Sequence, residues 1–492
     1  MSKFNTTLKS KPDTTNLAGG SAYTKSPKLQ IASILLTSFC KDTRYESESD
    51  FITRLREQYS KLSSDDKIFL AKAAIYARNE FGMRSITHVA ANIILDDLKN
   101  NTLPWASKFF NRVVARPDDM SEIISCYWQD GKKSLPNSLM NGFASAFNRF
   151  DDYQISKYMM KDKAVSLVDI VNLCHPKPSE RNAKALKELV NNTLKPAETF
   201  NNALAKAGRT AETQEQKEKN KAEVWKAFVE KGNKVEMFAL LRNLRNIMKD
   251  ADEDTKKEAL KLLVDKDRIK KSKIMPFRFL TAYNEFEDNA EVREALRDAL
   301  DLSVSNVPVF DGKTLIALDM SGSMYDSWYQ IQFVPTQPFT IGSVFAAALA
   351  KNSNTDLCLF STNASFKTDF GKKDTVLSIA KYLHNEATGG GTSFRSVFDL
   401  ISMHKRKYDR IILISDEQSW IGTTRTAYNM YRAKFSPECK FFMFDLRGHG
   451  TLQIPEANCY SLAGMSDKTF DLMQKLDADP KALVHTIESI DL

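Results

Sequence analysis

KTLIALDMSGSM, residues 313–324, is an unbroken apolar run that stops on an acid, Asp319, and continues as Asp-x-Ser-x-Ser through Ser321 and Ser323. A short run of this kind with polar flanks reads as a strand buried on both faces. Three more follow: Asp356–Phe360, Arg410–Asp416, again closed by an Asp, and Lys440–Asp445. Helical spacing fills 341–352, 375–384, 395–404 and 423–434. Buried strands alternating with helices predict a parallel, doubly wound α/β sheet, whose ligands sit at the carboxyl ends of the strands. Asp319 and Asp416 both fall there.

The local spacing has a chemical use. Two serines two residues apart can aim both hydroxyls at one point, with Gly322 easing the turn. Thr392, in TGGGTS at 388–393, adds a third hydroxyl from another loop, and its glycines let that backbone come close. With Asp416 this makes five hard oxygen donors, two of them carboxylates. Such a set suits Mg²⁺ or Mn²⁺ with positions left over for water or a partner's carboxylate. The bland alternative is that the serines and the threonine only shape turns. The insertion at 324–338 is expected to lie over this site, where it could gate the metal or bring Asp326 near it, or else to decorate the sheet rim.

Outward from this region the pattern changes. From Leu29 to about residue 300 the apolar spacing is helical, as in Phe51, Leu55, Tyr59 and Leu62 on one face. Breakers such as Ser63-Ser64-Asp65, Leu103-Pro104 and His175-Pro176-Lys177-Pro178 separate the segments. Helical hairpins packed side by side, an α-solenoid, account for this rhythm. At about 40–47 residues per HEAT-like unit roughly six would fit. Residues 209–223 are nearly free of apolar side chains and read as a solvated helix or loop. Residues 1–28 read as a flexible arm and module start that becomes ordered near Asn16. The expected division is therefore 1–28, 29–300 and 301–492.

The chain's length, 492 residues, leaves room for these parts without disulfide staples. Its six cysteines show no CxxC pair and read as reduced thiols of a cytoplasmic chain. The polar N-terminus lacks a signal-peptide core and the longest apolar stretch, Ile31–Cys40, is too short to span a bilayer, so no membrane association is expected. Residues 1–300 carry 51 Lys+Arg against 41 Asp+Glu, and residues 301–492 carry 19 against 21. The basic excess thus belongs wholly to the helical part, which suits a polyanionic partner and equally suits a solvated surface. Arg242, Arg245 and Lys249 share one helix face; Lys266–Lys273 forms a second basic cluster with interleaved Asp265 and Asp267. No HExxH, phosphate-binding loop or GxSxG elbow is present, and neither serine has a histidine nearby in sequence, so no enzyme is expected.

The Asp319–Ser323, Thr392 and Asp416 set resembles the metal-ion-dependent adhesion site of von Willebrand factor A domains. In the helical part, NLAGGSAY (16–23), ARNEFGMR (77–84), SLVDIVNLCHPKP (166–178), ALLRNLR (239–245) and IMPFR (274–278) resemble the TROVE module. Together they resemble the Ro ribonucleoprotein family, of a bacterial or phage type. That resemblance implies a ring of HEAT-like helical repeats closed by an A domain. It implies a monomeric, non-catalytic RNA-binding protein of RNA quality control. A small structured (Y-like) RNA would bind the outer surface, and single-stranded 3′ ends of misfolded RNAs would enter the ring. An exoribonuclease would be a possible partner, and no DNA is expected. The family's outer-surface contacts match His175 and, with a one-residue gap, Lys157 and Lys161. Arg78, Arg84, Arg242 and Arg245 complete the expected RNA-binding set. A protein–protein adaptor with a metal-dependent A domain is the alternative.

Overall fold

In the computed structural model, residues 12–37, 47–129, 131, 133–159, 163–197, 199–232, 235–307, 309–325, 337–352, 354–447, 451–455, 459–463, 473 and 482–492 are described. Seventeen helices among the described residues lie between Pro27 and Leu302, confirming the helical reading of this half. Helices close in sequence pack together, some across an intervening helix. Ala106–Val113 against Asn137–Phe147 is an intimate case. Gly142 makes it possible, since a Cβ there would lie 2.6 Å from both Phe110 Cβ and Ser107 O. Phe110 and Phe143 meet edge to face beside it, centroids 6.2 Å apart. The charged segment around residue 215 is the outer part of the helix Gln214–Val229, anchored by the buried Trp225 and Val229.

The strands are β1 (Thr14–Thr15), β2 (Ser21–Thr24), β3 (Thr314–Asp319), β4 (Thr355–Phe360), β5 (Ala364–Lys367), β6 (Arg410–Ser415), β7 (Lys440–Asp445), β8 (Thr451–Leu452) and β9 (Cys459–Ala463). Six form one sheet in the order β5-β4-β3-β6-β7-β9, parallel except for the β4–β5 pair. Burial on both faces explains the apolar runs. Ile316, Leu318, Ile412, Ile414 and Phe444 belong to the core shared with the helical half. Leu315, Ala317, Ile411, Leu413 and Met443 point the other way, toward Phe398, Tyr428 and Tyr431. The chain leaves β3 for β4 on one side and returns to β6 on the other. The winding therefore reverses at β3 and β6, and Asp319 and Asp416 stand at the ends of the two strands that flank the switch point.

Both ends of the helical array contact this α/β part. At the start, β2 pairs with β8, and Lys72 Nζ donates to the Glu488 carbonyl (2.7 Å) beside the helix Ala482–Glu488. At the end, Phe277 stacks on Phe345 of the helix Pro338–Asn352 at 5.3 Å, and Val376 N donates to Asp301 Oδ1. Within the arm expected over 1–28, residues 14–24 form a β-hairpin whose polar groups find partners on the α/β part. Among the described residues no helix is long and apolar enough to cross a membrane.

Candidate metal site and charged surface

Three loops carry the five proposed donors. After β3 the chain turns tightly: Ser321 N donates to Asp319 Oδ1 (2.8 Å), and Gly322–Met324 forms a single 3₁₀ turn. This turn brings the Ser321 and Ser323 hydroxyls to 3.2 Å from each other. Gly322 N donates to Gly390 O (3.1 Å), tying the first loop to the second. Thr392 O accepts from Trp420 N and Ile421 N, both at 3.1 Å, tying the second to the third. The glycine run is needed: a Cβ on Gly391 would lie 2.7 Å from the Trp420 ring. Asp319, Ser321, Ser323, Thr392 and Asp416 are all buried.

The electrostatics of this cluster follow from its acids. Burial first, then the neighbouring Asp416, pushes the Asp319 carboxyl up to about 7. Ser415 Oγ donates to Asp319 Oδ2 (2.5 Å) and offsets part of this. Two buried carboxylates beside three hydroxyls, with no histidine or cysteine among them, fit a hard divalent ion by donor chemistry. Tyr325 packs beside the site against Phe339, and burial plus the Asp319 charge raises its phenol. Asp326 and most of the 324–338 insertion lie outside the described residues.

The loop after Asp416 is held by the N-terminal hairpin, which the sequence did not reveal. Asn16 Nδ2 donates to Ser419 O (2.6 Å), and Leu17 N donates to Gln418 Oε1 (2.8 Å). Lys25, fully buried, reaches Glu417 Oε2 (3.0 Å) and Asp445 Oδ2 (3.3 Å). Burial alone would lower its ammonium; Glu417 and Asp445 more than offset this and raise it. Glu417 adopts a left-handed backbone, φ +57°, an uncommon conformation for a residue with a side chain.

The basic residues divide. Arg78 and Arg84, expected among the RNA contacts, are both engaged by acids of a neighbouring helix. Asp119, fully buried, accepts from Arg78 Nη2 (2.8 Å), Arg84 Nε (3.0 Å) and Arg116 N (2.9 Å), with His88 Nε2 at 3.3 Å. Arg84 Nη2 also bonds Asp118 Oδ2 (2.6 Å). The guanidinium groups are spent on holding three helices together, because buried carboxylates demand partners. The signal was Arg116-Pro117-Asp118-Asp119, a helix start that places two acids in the first turn. His175 is exposed and ends the helix Leu167–Cys174 in a left-handed conformation, φ +47°. Lys157 is exposed, its ammonium 5.2 Å from the Tyr158 ring centre. Lys161 lies outside the described residues. Arg242, Arg245 and Lys249 are exposed along one helix, Arg245 pairing with Glu285 at 3.1 Å.

Comparison with known proteins adds the family. The model of the TROVE domain matches residues 21–218 and 204–321. Telomerase protein component 1 of Mus musculus is 27% identical over 139 residues, which is 27% of this chain and 5% of that protein. The Rattus norvegicus protein of the same name is 26% identical over 139 residues, with the same coverage. The match thus takes in only a small part of those relatives' length. The crystal structure of the Deinococcus radiodurans Ro (RSR) protein superimposes with a TM-score of 0.60 at 16% identity, over 94% of this chain and 99% of that one. At that identity the likeness is one of fold: a mostly helical chain with a mixed sheet.

Proposed function

Because the chain belongs to the TROVE domain family, whose model matches it from residue 21 to residue 321, we propose that it is a non-catalytic RNA-binding ribonucleoprotein component that binds a small structured RNA and single-stranded RNA ends in RNA quality control. The observation that carries this reading is the segregation of charge. All of the net positive charge lies in residues 1–300, the helical part. Arg242 and Lys249 stand exposed there, with no ion pair among the described residues. Ammonium and guanidinium groups on a rigid frame bind phosphates without reading sequence.

In this reading the helical array is a ring closed by an A-type domain. Contacts of the α/β part with both the first and the last helices support the closure. Asp319, Ser321, Ser323, Thr392 and Asp416 would hold Mg²⁺ or Mn²⁺, which would supply an electrophilic point for an acidic partner group. His175 and Lys157 would contact the small RNA. Purifying the protein from its host and sequencing the bound nucleic acid tests the reading: an enriched small non-coding RNA supports it, and a preparation free of RNA overturns it. The adaptor reading is favoured by one feature, Trp420, half exposed on the rim of the metal loops. Asp319→Ala would then abolish capture of a protein partner while leaving RNA affinity unchanged.

A further inference from the structure

Two cavities meet at Ala197, on a part of the helical array from which the RNA-binding set above takes only Lys157. The first, about 480 Å³, is lined by Tyr153, Ser156, Lys184, Glu188, Lys195 and Ala197, among others. The second, about 460 Å³, continues past Ala197 to Phe200, Asn202, Lys206, Phe228 and Lys231. Each has a volume in the range of small-ligand pockets. Both take in Ala197, and side by side they extend from the helix Asp152–Lys157 to the helix Gln214–Val229.

Among the described residues of this groove, cations outnumber acids. Lys184, Lys195, Lys206 and Lys231 are exposed, and none is held in an ion pair among the described residues. Of the acids at its edge, Asp152 accepts from Ala185 N (2.9 Å), so its carboxylate already caps a helix. Glu188 is half-buried and has no cationic partner among the described residues. Aromatic rings are spaced along the same path. Tyr153 is 51% exposed, so one face of its ring is open to a ligand. Phe200 and Phe228 are half-buried with ring centres 4.7 Å apart, backed by the buried Trp225. Lys157 lies 5.7 Å from the Tyr153 ring centre and continues the cationic row.

We propose that this groove is a track for single-stranded RNA, with the four lysines on successive phosphates and the Tyr153, Phe200 and Phe228 rings taking bases. The proposal rests on the RNA-binding reading and adds to it a place for the single strand. Lysines along a groove with ring faces between them suit a chain whose charge and planar groups alternate, as a single strand's do. An acidic peptide would match the charge and make no use of an exposed tyrosine face.

The test uses the full chain and a fluorescein-labelled 12-nucleotide oligouridine, read by anisotropy at two salt concentrations, with a small hairpin RNA measured in parallel. The variant Lys184→Glu/Lys195→Glu/Lys206→Glu/Lys231→Glu changes exposed side chains only, and its melting curve controls for folding. Binding of the oligonucleotide should weaken at least about tenfold, with the salt slope falling by roughly three, about 0.7 for each phosphate no longer neutralised. Tyr153→Ala should weaken it about fivefold and Tyr153→Phe should restore it. Wild-type binding that neither variant changes overturns the track while leaving the RNA reading intact. Displacement of the oligonucleotide by polyglutamate, with Tyr153→Ala silent, overturns it in favour of an acidic peptide. Wild-type protein that binds neither RNA overturns the reading on which the track rests.

Discussion

The Lys25 ammonium lies 3.0 Å from Glu417 Oε2, with both side chains at 0% exposure, although 392 residues separate them in sequence (417 − 25). Glu417 follows Asp416 directly, so this buried contact ties the entrance of the helical array to the loop that carries one carboxylate of the candidate metal site. Lys25→Met leaves Glu417 and Asp445 buried without their cation. Removal of one member of a buried pair costs about 3–5 kcal/mol. We expect a loss of that size in urea denaturation, with faster protease cleavage near residue 20. Unchanged stability would show that the contact is neutral.

Ion binding should stabilise the fold. A ligand bound only to the native state adds roughly 2.7 kcal/mol at a hundred times its dissociation constant. Millimolar Mg²⁺ is expected to raise the melting temperature by several degrees and EDTA to reverse this. Asp319→Asn should abolish the Mg²⁺ response. In EDTA it should melt no lower than wild type, because burial and Asp416 push the Asp319 carboxyl up and the neutral amide removes that repulsion. An Mg²⁺ response that survives in Asp319→Asn would dismiss these residues as the site.

Asp119 makes the helical half acid-sensitive in a defined direction. Burial would raise its carboxyl, and His88 and Arg78 overcome this and hold it well below the ordinary 3.8. A depressed folded value means that the stability is fully present above the unfolded value and is lost as pH falls through the folded one. Wild-type stability should therefore drop steeply below about pH 4, the ordinary range of an unfolded Asp. Asp119→Asn should be less stable at pH 7 and show a shallower acid limb, measured by denaturation at fixed pH. Parallel acid limbs would contradict the network's role.

Gly142→Ala tests the helix pair beneath the charged surface. Its Cβ would lie 2.6 Å from Phe110 Cβ and from a backbone carbonyl, neither the tip of a flexible chain. Overpacking of this kind costs about 1–3 kcal/mol. Any gain in stability would mean that the helices can separate freely.

What could be read from the sequence was what local pattern controls. The strands ending at Asp319 and Asp416 were visible because burial on both faces writes a continuous apolar run. The helices were visible because one-sided burial writes a 3.6-residue period. The fate of Arg78 and Arg84 was hidden because their carboxylate partners lie 34 to 41 residues away. A guanidinium looks the same in sequence whether it faces solvent or a buried acid. The hairpin at 14–24 was hidden for a related reason: its two-residue and four-residue strands carry no periodicity, and the partners of Asn16 and Lys25 lie some 400 positions on. The Tyr153–Phe228 groove was missed because its lysines are scattered over four segments of the chain.

The most direct measurement is the dissociation constant of the purified protein for a small structured RNA at 50 and 200 mM salt. With about five phosphate contacts at roughly 0.9 ions each, affinity should fall by two orders of magnitude or more across that range. Affinity that does not change with salt, or no binding at 50 mM, would contradict an RNA-binding role for the positively charged helical half.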